Sequence, residues 1–123
     1  MVDDDDVRRI ALSLPETTER PSYGTPGFRV KDKHFARIRE DGALAVFVSA
    51  LEEKEALIAA EPEVFFTLPH YDGYAMVLVR LEAIGVEELT EVLTDAWRVR
   101  APVKVRAAFE AAEAAEADAA EGD

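Results

Sequence analysis

Apolar and polar positions follow two different periods along this chain, and the switches between them mark its elements. Val7, Ile10, Ala11 and Leu14 recur at i, i+3, i+4 and i+7, the stripe of one helix. Asp3 to Asp6 precede the stripe, where a helix dipole favours negative charge, so they read as a capped, solvated helix start. Pro15 ends that helix. Residues 15–27 are dense in turn formers and read as a loop. Period two then takes over. Residues 27–31 set Phe28 and Val30 against Arg29 and Lys31, and Asp32-Lys33 makes a tight turn. Residues 34–39 set His34, Ala36 and Ile38 against Phe35, Arg37 and Arg39. Asp41-Gly42 is a hairpin signal, and residues 43–49 set Leu44, Val46 and Val48 opposite Ala45, Phe47 and Ser49. The three strands predict an antiparallel meander.

Beyond the meander the period returns to that of helices. Ser49 and Glu52 have the spacing of a capping box, which predicts a helix from Leu51 to Ala60, bounded by Pro62. Val64-Phe65-Phe66 reads as a short strand, residues 69–73 as a turn, and Tyr74 to Leu81 as a central strand, apolar on both faces until Arg80. Val86 to Arg100 carries a stripe of Val86, Leu89, Leu93, Ala96 and Trp97, which places Trp97 against the sheet near Phe47 or Val77. Pro102 opens a last helix with the stripe Val105, Ala108, Phe109 and Ala112. The order, one helix, three strands, one helix, two strands and two helices, predicts an α+β two-layer sandwich. Its five-stranded antiparallel sheet carries helices on one face. Residues 1–112 form a single domain. Residues 113–123 contain only Ala, Glu, Asp and Gly, with no apolar stripe to bury, and are expected to fray or stay disordered.

Composition refines this picture at three points. A chain of 123 residues with 49% apolar content builds one core. The absence of cysteine excludes disulfides and thiolate metal sites. No apolar run approaches a membrane span, and the first residues are acidic where a signal peptide is basic, so a cytoplasmic protein with no membrane role is expected. The formal charge of −12 is unevenly spread: ten of the 26 acids lie at positions 3–6 and 110–123, which leaves 16 against 14 basic residues in the body.

Catalytic constellations are missing from the pattern. His34 and His70 are the two histidines; the first reads as a packed strand residue, the second as a surface turn residue. Ser13, Ser22 and Ser49 lack the setting of a nucleophile elbow. Gly24-Thr25-Pro26-Gly27 lacks the Walker lysine, and Pro26 has no N–H to offer a phosphate. No catalytic residue, metal site or cofactor is assigned. What stands out is cationic: Arg29, Lys31, Lys33, Arg37 and Arg39, interleaved with Phe35 on one hairpin, with Arg80 joining from the last strand. The plain reading is the solvated face of a sheet covered on one side. The functional reading is an anion-binding face, on which cations hold phosphates and an aromatic ring stacks a base. A second basic group, Arg98, Arg100, Lys104 and Arg106, brackets Pro102.

The segments "ALSLPETTE", "PSYGTPGFRVKDKHFARI" and "AWRVRAPVKV" resemble the MmcQ/YjbR family of small bacterial proteins. The matching positions include Leu14, Pro15, Pro21, Gly24, Pro26, Phe28, Arg29, Val30, Lys33, Phe35, Ala36, Trp97, Ala101 and Pro102, across residues 5–109. The resemblance implies a fold related to the type III secretion chaperones, and a DNA-binding role proposed from a double-wing shape. Many relatives carry a tryptophan where this chain has Tyr71 and Tyr74. Two functions of different class are therefore expected: a small non-enzymatic module that binds nucleic acid weakly through phosphates, or a protein-interaction or dimerisation module. The protein is expected to be a monomer or a homodimer.

Overall fold

The computed structural model describes residues 2–121. Four helices and six strands follow the order α1 (Asp4–Ser13), β1 (Thr17–Ser22), β2 (Thr25–Val30), β3 (Lys33–Ile38), β4 (Leu44–Phe47), α2 (Leu51–Ala60), β5 (Phe65–Phe66), β6 (Met76–Val79), α3 (Val86–Arg100) and α4 (Val103–Glu121). The strands form one antiparallel sheet in the order β1-β2-β3-β4-β6-β5. The α+β class expected from the pattern holds, with six strands rather than five.

The additional strand is β1, which lies in the stretch expected to be a loop. Its sequence, TTERPS, is polar and holds Pro21, features that suit an edge strand with one unpaired side. It joins β2 through Tyr23-Gly24, with φ of 54° and 82°. Positive φ at both central residues is the hairpin turn whose twist matches the flanking strands. The next turn is centred on Lys31-Asp32, one residue earlier than expected, so that Val30 pairs with Lys33 and Lys33 begins β3.

Two interior rows explain the core. Phe28, Ala36, Val46 and Val77 are aligned across four strands, and so are Ile38, Leu44, Val79 and Phe65 across another four. Both rows are buried with Val7, Ile10 and Ala11 of α1 and Leu89, Leu93, Ala96 and Trp97 of α3. At about 25 cal/mol per Å² of apolar surface removed from water, this layer is the main stabilising term. Trp97 is buried as expected, in the same core cluster as Val77. Its Nε1–H donates to the Pro15 carbonyl at 2.9 Å, and its ring lies 4.8 Å from that of Phe109 on α4.

Local capping follows the sequence at α1 and departs from it at α2. The Asp3 N–H donates to Asp6 and the Asp6 N–H to Asp3, each at 3.0 Å, a reciprocal capping box. The Asp6 carboxyl is held below its usual range, first by the backbone N–H of Asp3 and then by Arg9. At α2 the cap residue is Ala50, with no side-chain cap, so the box expected from Ser49 and Glu52 does not form. The acidic tail is helical where fraying was expected: α4 runs on to Glu121, consistent with the helix propensity of Ala and Glu. Its residues 110–119 are exposed, and Glu113 reaches back to Arg98 at 2.7 Å. Residues 122 and 123 lie outside the described residues.

Candidate nucleic-acid interface

A β-bulge decides which side chains meet on the outer face of the sheet. Phe28 pairs with Ala36 and Arg29 with His34, which leaves Phe35 as an extra residue on β3. Past such a residue the alternation of faces resets. Phe35 and Ala36 both join the core, fully buried, and His34 turns to the side of Arg37. The expected division of β3 is therefore corrected at two positions. Phe35 is a core residue that cannot stack a base on the outer face. His34 belongs with the cations rather than with Ala36 and Ile38.

The outer face is built in register. One row runs Arg20, Gly27, Arg37, Ala45, Leu78 and Phe66 across all six strands. Thr18, Arg29 and His34 form a second row on the other side of the bulge. Gly27 sits where its neighbours approach closely. A Cβ there would lie 3.0 Å from the Arg20 carbonyl oxygen and 3.3 Å from His34 Nε2. Burial first, and then the charges of Arg29 and Arg37, push the His34 imidazole below its usual range, so it stays neutral among arginines.

Each inner arginine rests on an aromatic ring. The guanidinium carbon of Arg37 lies 5.2 Å from the Tyr23 ring centroid, that of Arg39 5.3 Å from Tyr71, and that of Arg80 4.1 Å from Phe66. Arg100, at the end of α3, donates from Nε to the His34 carbonyl at 2.9 Å and lies 4.3 Å from the Phe47 ring. Of the second basic group only Arg100 reaches this region. Arg98 pairs with Asp95 and Glu113, and Arg106 with Glu110.

The sequence-expected site residues separate into three groups. Arg29, Arg37, Arg39 and Arg80 share the outer face. Lys31 sits in the turn and pairs with Glu16 at 3.3 Å, and Lys33 is exposed at the start of β3. Phe35 is in the core. Arg37 pairs with Glu40 at 2.7 Å, Arg39 with Asp41 at 3.6 Å, and Arg80 donates to the Pro62 carbonyl at 3.0 Å. Among the described residues, Arg20 and Arg29 have no carboxylate within ion-pairing distance, and Arg37 Nε, Arg39 Nη1 and His34 Nε2 are shielded atoms without a hydrogen-bond partner. Such buried polar atoms are costly to leave unpaired inside a protein.

Sequence reasoning missed Arg20, Tyr23, Tyr71 and Lys54. Arg20 and Tyr23 fall in the stretch taken for a loop. Lys54 is buried on α2, and its ammonium donates to the Tyr71 carbonyl at 2.6 Å and the Tyr74 carbonyl at 3.2 Å. It pins the segment that carries Tyr71 beneath Arg39. No sequence signal distinguishes Lys54 from the exposed charges around it. Tyr23, Arg37, Arg39, Glu40, His70 and Tyr71 enclose a cleft of about 340 Å³. Among the described residues no three His, Asp or Glu side chains are grouped to hold a metal ion, and no helix is long and apolar enough to cross a membrane.

Comparison with known proteins places this architecture. The YjbR family model matches residues 12–99. The uncharacterized proteins Rv2570 of Mycobacterium tuberculosis (strain H37Rv) and Mb2600 of Mycobacterium bovis are 39% identical, with 85% of this chain and 93% of theirs covered. The crystal structure of Deinococcus radiodurans protein DR2400, with a DUF419 domain, is similar with a TM-score of 0.68 and 27% identity, covering 80% of this chain and 78% of that one. The match runs from the last two residues of α1 into the last turn of α3, and takes in the whole bulged sheet: the chain belongs to the YjbR family.

Proposed function

We propose that this protein is a small non-enzymatic module that binds nucleic acid weakly, chiefly through phosphates, on the outer face of its sheet. One observation carries the reading. Arg29, Arg37 and Arg39 share the face opposite the helices with Arg20 and Arg80, and among the described residues Arg20 and Arg29 have no carboxylate within ion-pairing distance. Guanidinium groups suit phosphate oxygens in geometry as well as charge. Glu40 and Asp41 sit in an exposed turn, and the ion pairs they make there are weak enough for a phosphate to replace.

The test is a titration of labelled single-stranded DNA, duplex DNA and RNA at several salt concentrations. With about three phosphate contacts, log K falls against log salt with a slope of about −2 on single strands and −3 on duplex. The Arg37→Ala/Arg39→Ala variant is expected to flatten that slope and weaken binding alike for all sequences. Absence of binding at low salt overturns the reading.

A second reading rests on the opposite side of the molecule. A crevice of about 310 Å³ between α2 and α3 is floored by Val46, Val48, Leu57 and Val92, and Leu51 and Val99 are exposed beside it. An apolar crevice of this kind suits a protein partner or a second copy of the chain. Light scattering across a range of protein concentrations tests it, and a strict monomer counts against self-association.

A further inference from the structure

Resting on the nucleic-acid reading above, we infer that the ligand is a single strand, one unstacked base of which lies on the ring of Tyr23. Tyr23 is 87% exposed at the tip of the β1–β2 hairpin, with φ of 54°. That position is the ordinary place of Gly, Asn or Asp, and a bulky side chain there is an outlier. An exposed ring contributes little to folding, so the fold itself does not account for a tyrosine at the tip. One side of the ring is set against the Arg37 guanidinium at 5.2 Å. The high exposure leaves the other side open, so a base there completes a stack of base, ring and cation.

The cleft behind the ring fits the backbone of the same strand. Arg37 and Arg39 point to one face two residues apart, roughly 7 Å along β3, and both line the cleft. Tyr71, beneath Arg39, and His70 complete its lining. A duplex keeps its bases stacked on one another and presents only their edges, so a ring that offers its face has no partner there. A single strand has free faces, and stacking on aromatic side chains tolerates any sequence.

The experiment titrates the full-length protein with labelled oligothymidylate, an abasic strand of equal length and a duplex of equal length. Three proteins are compared: the unmodified chain, Tyr23→Asn and Tyr23→Phe. Asn accepts positive φ, so the hairpin is kept while the ring is lost. Oligothymidylate is expected to bind roughly 5- to 150-fold tighter than the abasic strand, the range for one stacked base. Tyr23→Asn removes that preference, so that the two strands bind alike, and Tyr23→Phe preserves it. Equal binding of the base-bearing and abasic strands, an unaffected Tyr23→Asn variant, or a preference for duplex overturns the inference and leaves phosphate-driven binding standing. No binding of any probe at low salt overturns both.

Discussion

Phe35, His34, Lys54 and Gly27 show how single positions set this outer face. Alternation alone assigns Phe35 to the side of Arg37. The bulge overrides that alternation and buries Phe35 beside Ala36. Phe35→Ala is therefore expected to cost about 3–5 kcal/mol, as for a large aromatic lost from a core, and chemical denaturation measures it. A cost under about 1 kcal/mol would return Phe35 to the surface. Lys54 was not legible at all, since an amphipathic helix ordinarily turns its lysines to water. Lys54→Met keeps the apolar stem and leaves the Tyr71 and Tyr74 carbonyls without their donor. The loss expected in the same measurement is about 1.5–3 kcal/mol.

At the scale of elements, α1, α3 and the β2–β4 meander were legible because each carries a long stretch of one period. The edge strand β1 was not, because a polar strand with a proline has the composition of a loop and owes its structure to pairing with β2. The α2–α3 junction was equally hidden. There Glu61, which ends α2, meets Glu88 in the first turn of α3, and the Glu88 carboxyl is pushed up to about 7, first by sharing a hydrogen bond with Glu61 and then by desolvation and neighbouring negative charge. A carboxyl raised in the folded state stabilises below its unfolded value of 4.5, and that contribution is lost as pH rises through about 7. Glu88→Gln is thus expected to stabilise the protein at pH 8 and to leave it unchanged at pH 4. Because the group is largely solvated, the gain is on the order of 0.5–1 kcal/mol. Thermal melts at the two pH values check it, and equal shifts at both would contradict the shared proton. His34 contributes with opposite sign: depressed in the folded state, it costs stability as pH falls below 6.5.

Over the whole molecule, charge separates along with the layers. The acidic start of α1 is consumed locally, with Asp3 and Asp6 capping each other and Arg8 and Arg9 pairing with Asp5 and Asp6. The tail acids ride on α4, the helix that packs on Trp97 through Phe109, and two of them pair with Arg98 and Arg106. Deleting residues 113–123 is expected to cost less than about 1 kcal/mol, since Glu113–Arg98 is an exposed ion pair. Neutralising Glu110, Glu113 and Glu116 to glutamine is expected to strengthen oligonucleotide binding at low salt by removing long-range repulsion, an effect that vanishes at high salt. The clustering of cations in residues 29–39 was legible in the sequence; their division between face, turn and core was not, because one bulge and one turn position decide it. The most direct test of the outer face is a backbone-amide NMR titration of the full chain with a short oligothymidylate at low salt. Shift changes are predicted to concentrate on Tyr23, Arg29, His34, Arg37, Arg39 and Tyr71 and to spare α1 and the first turns of α3. Changes centred on the α2–α3 crevice, or none anywhere, would contradict it.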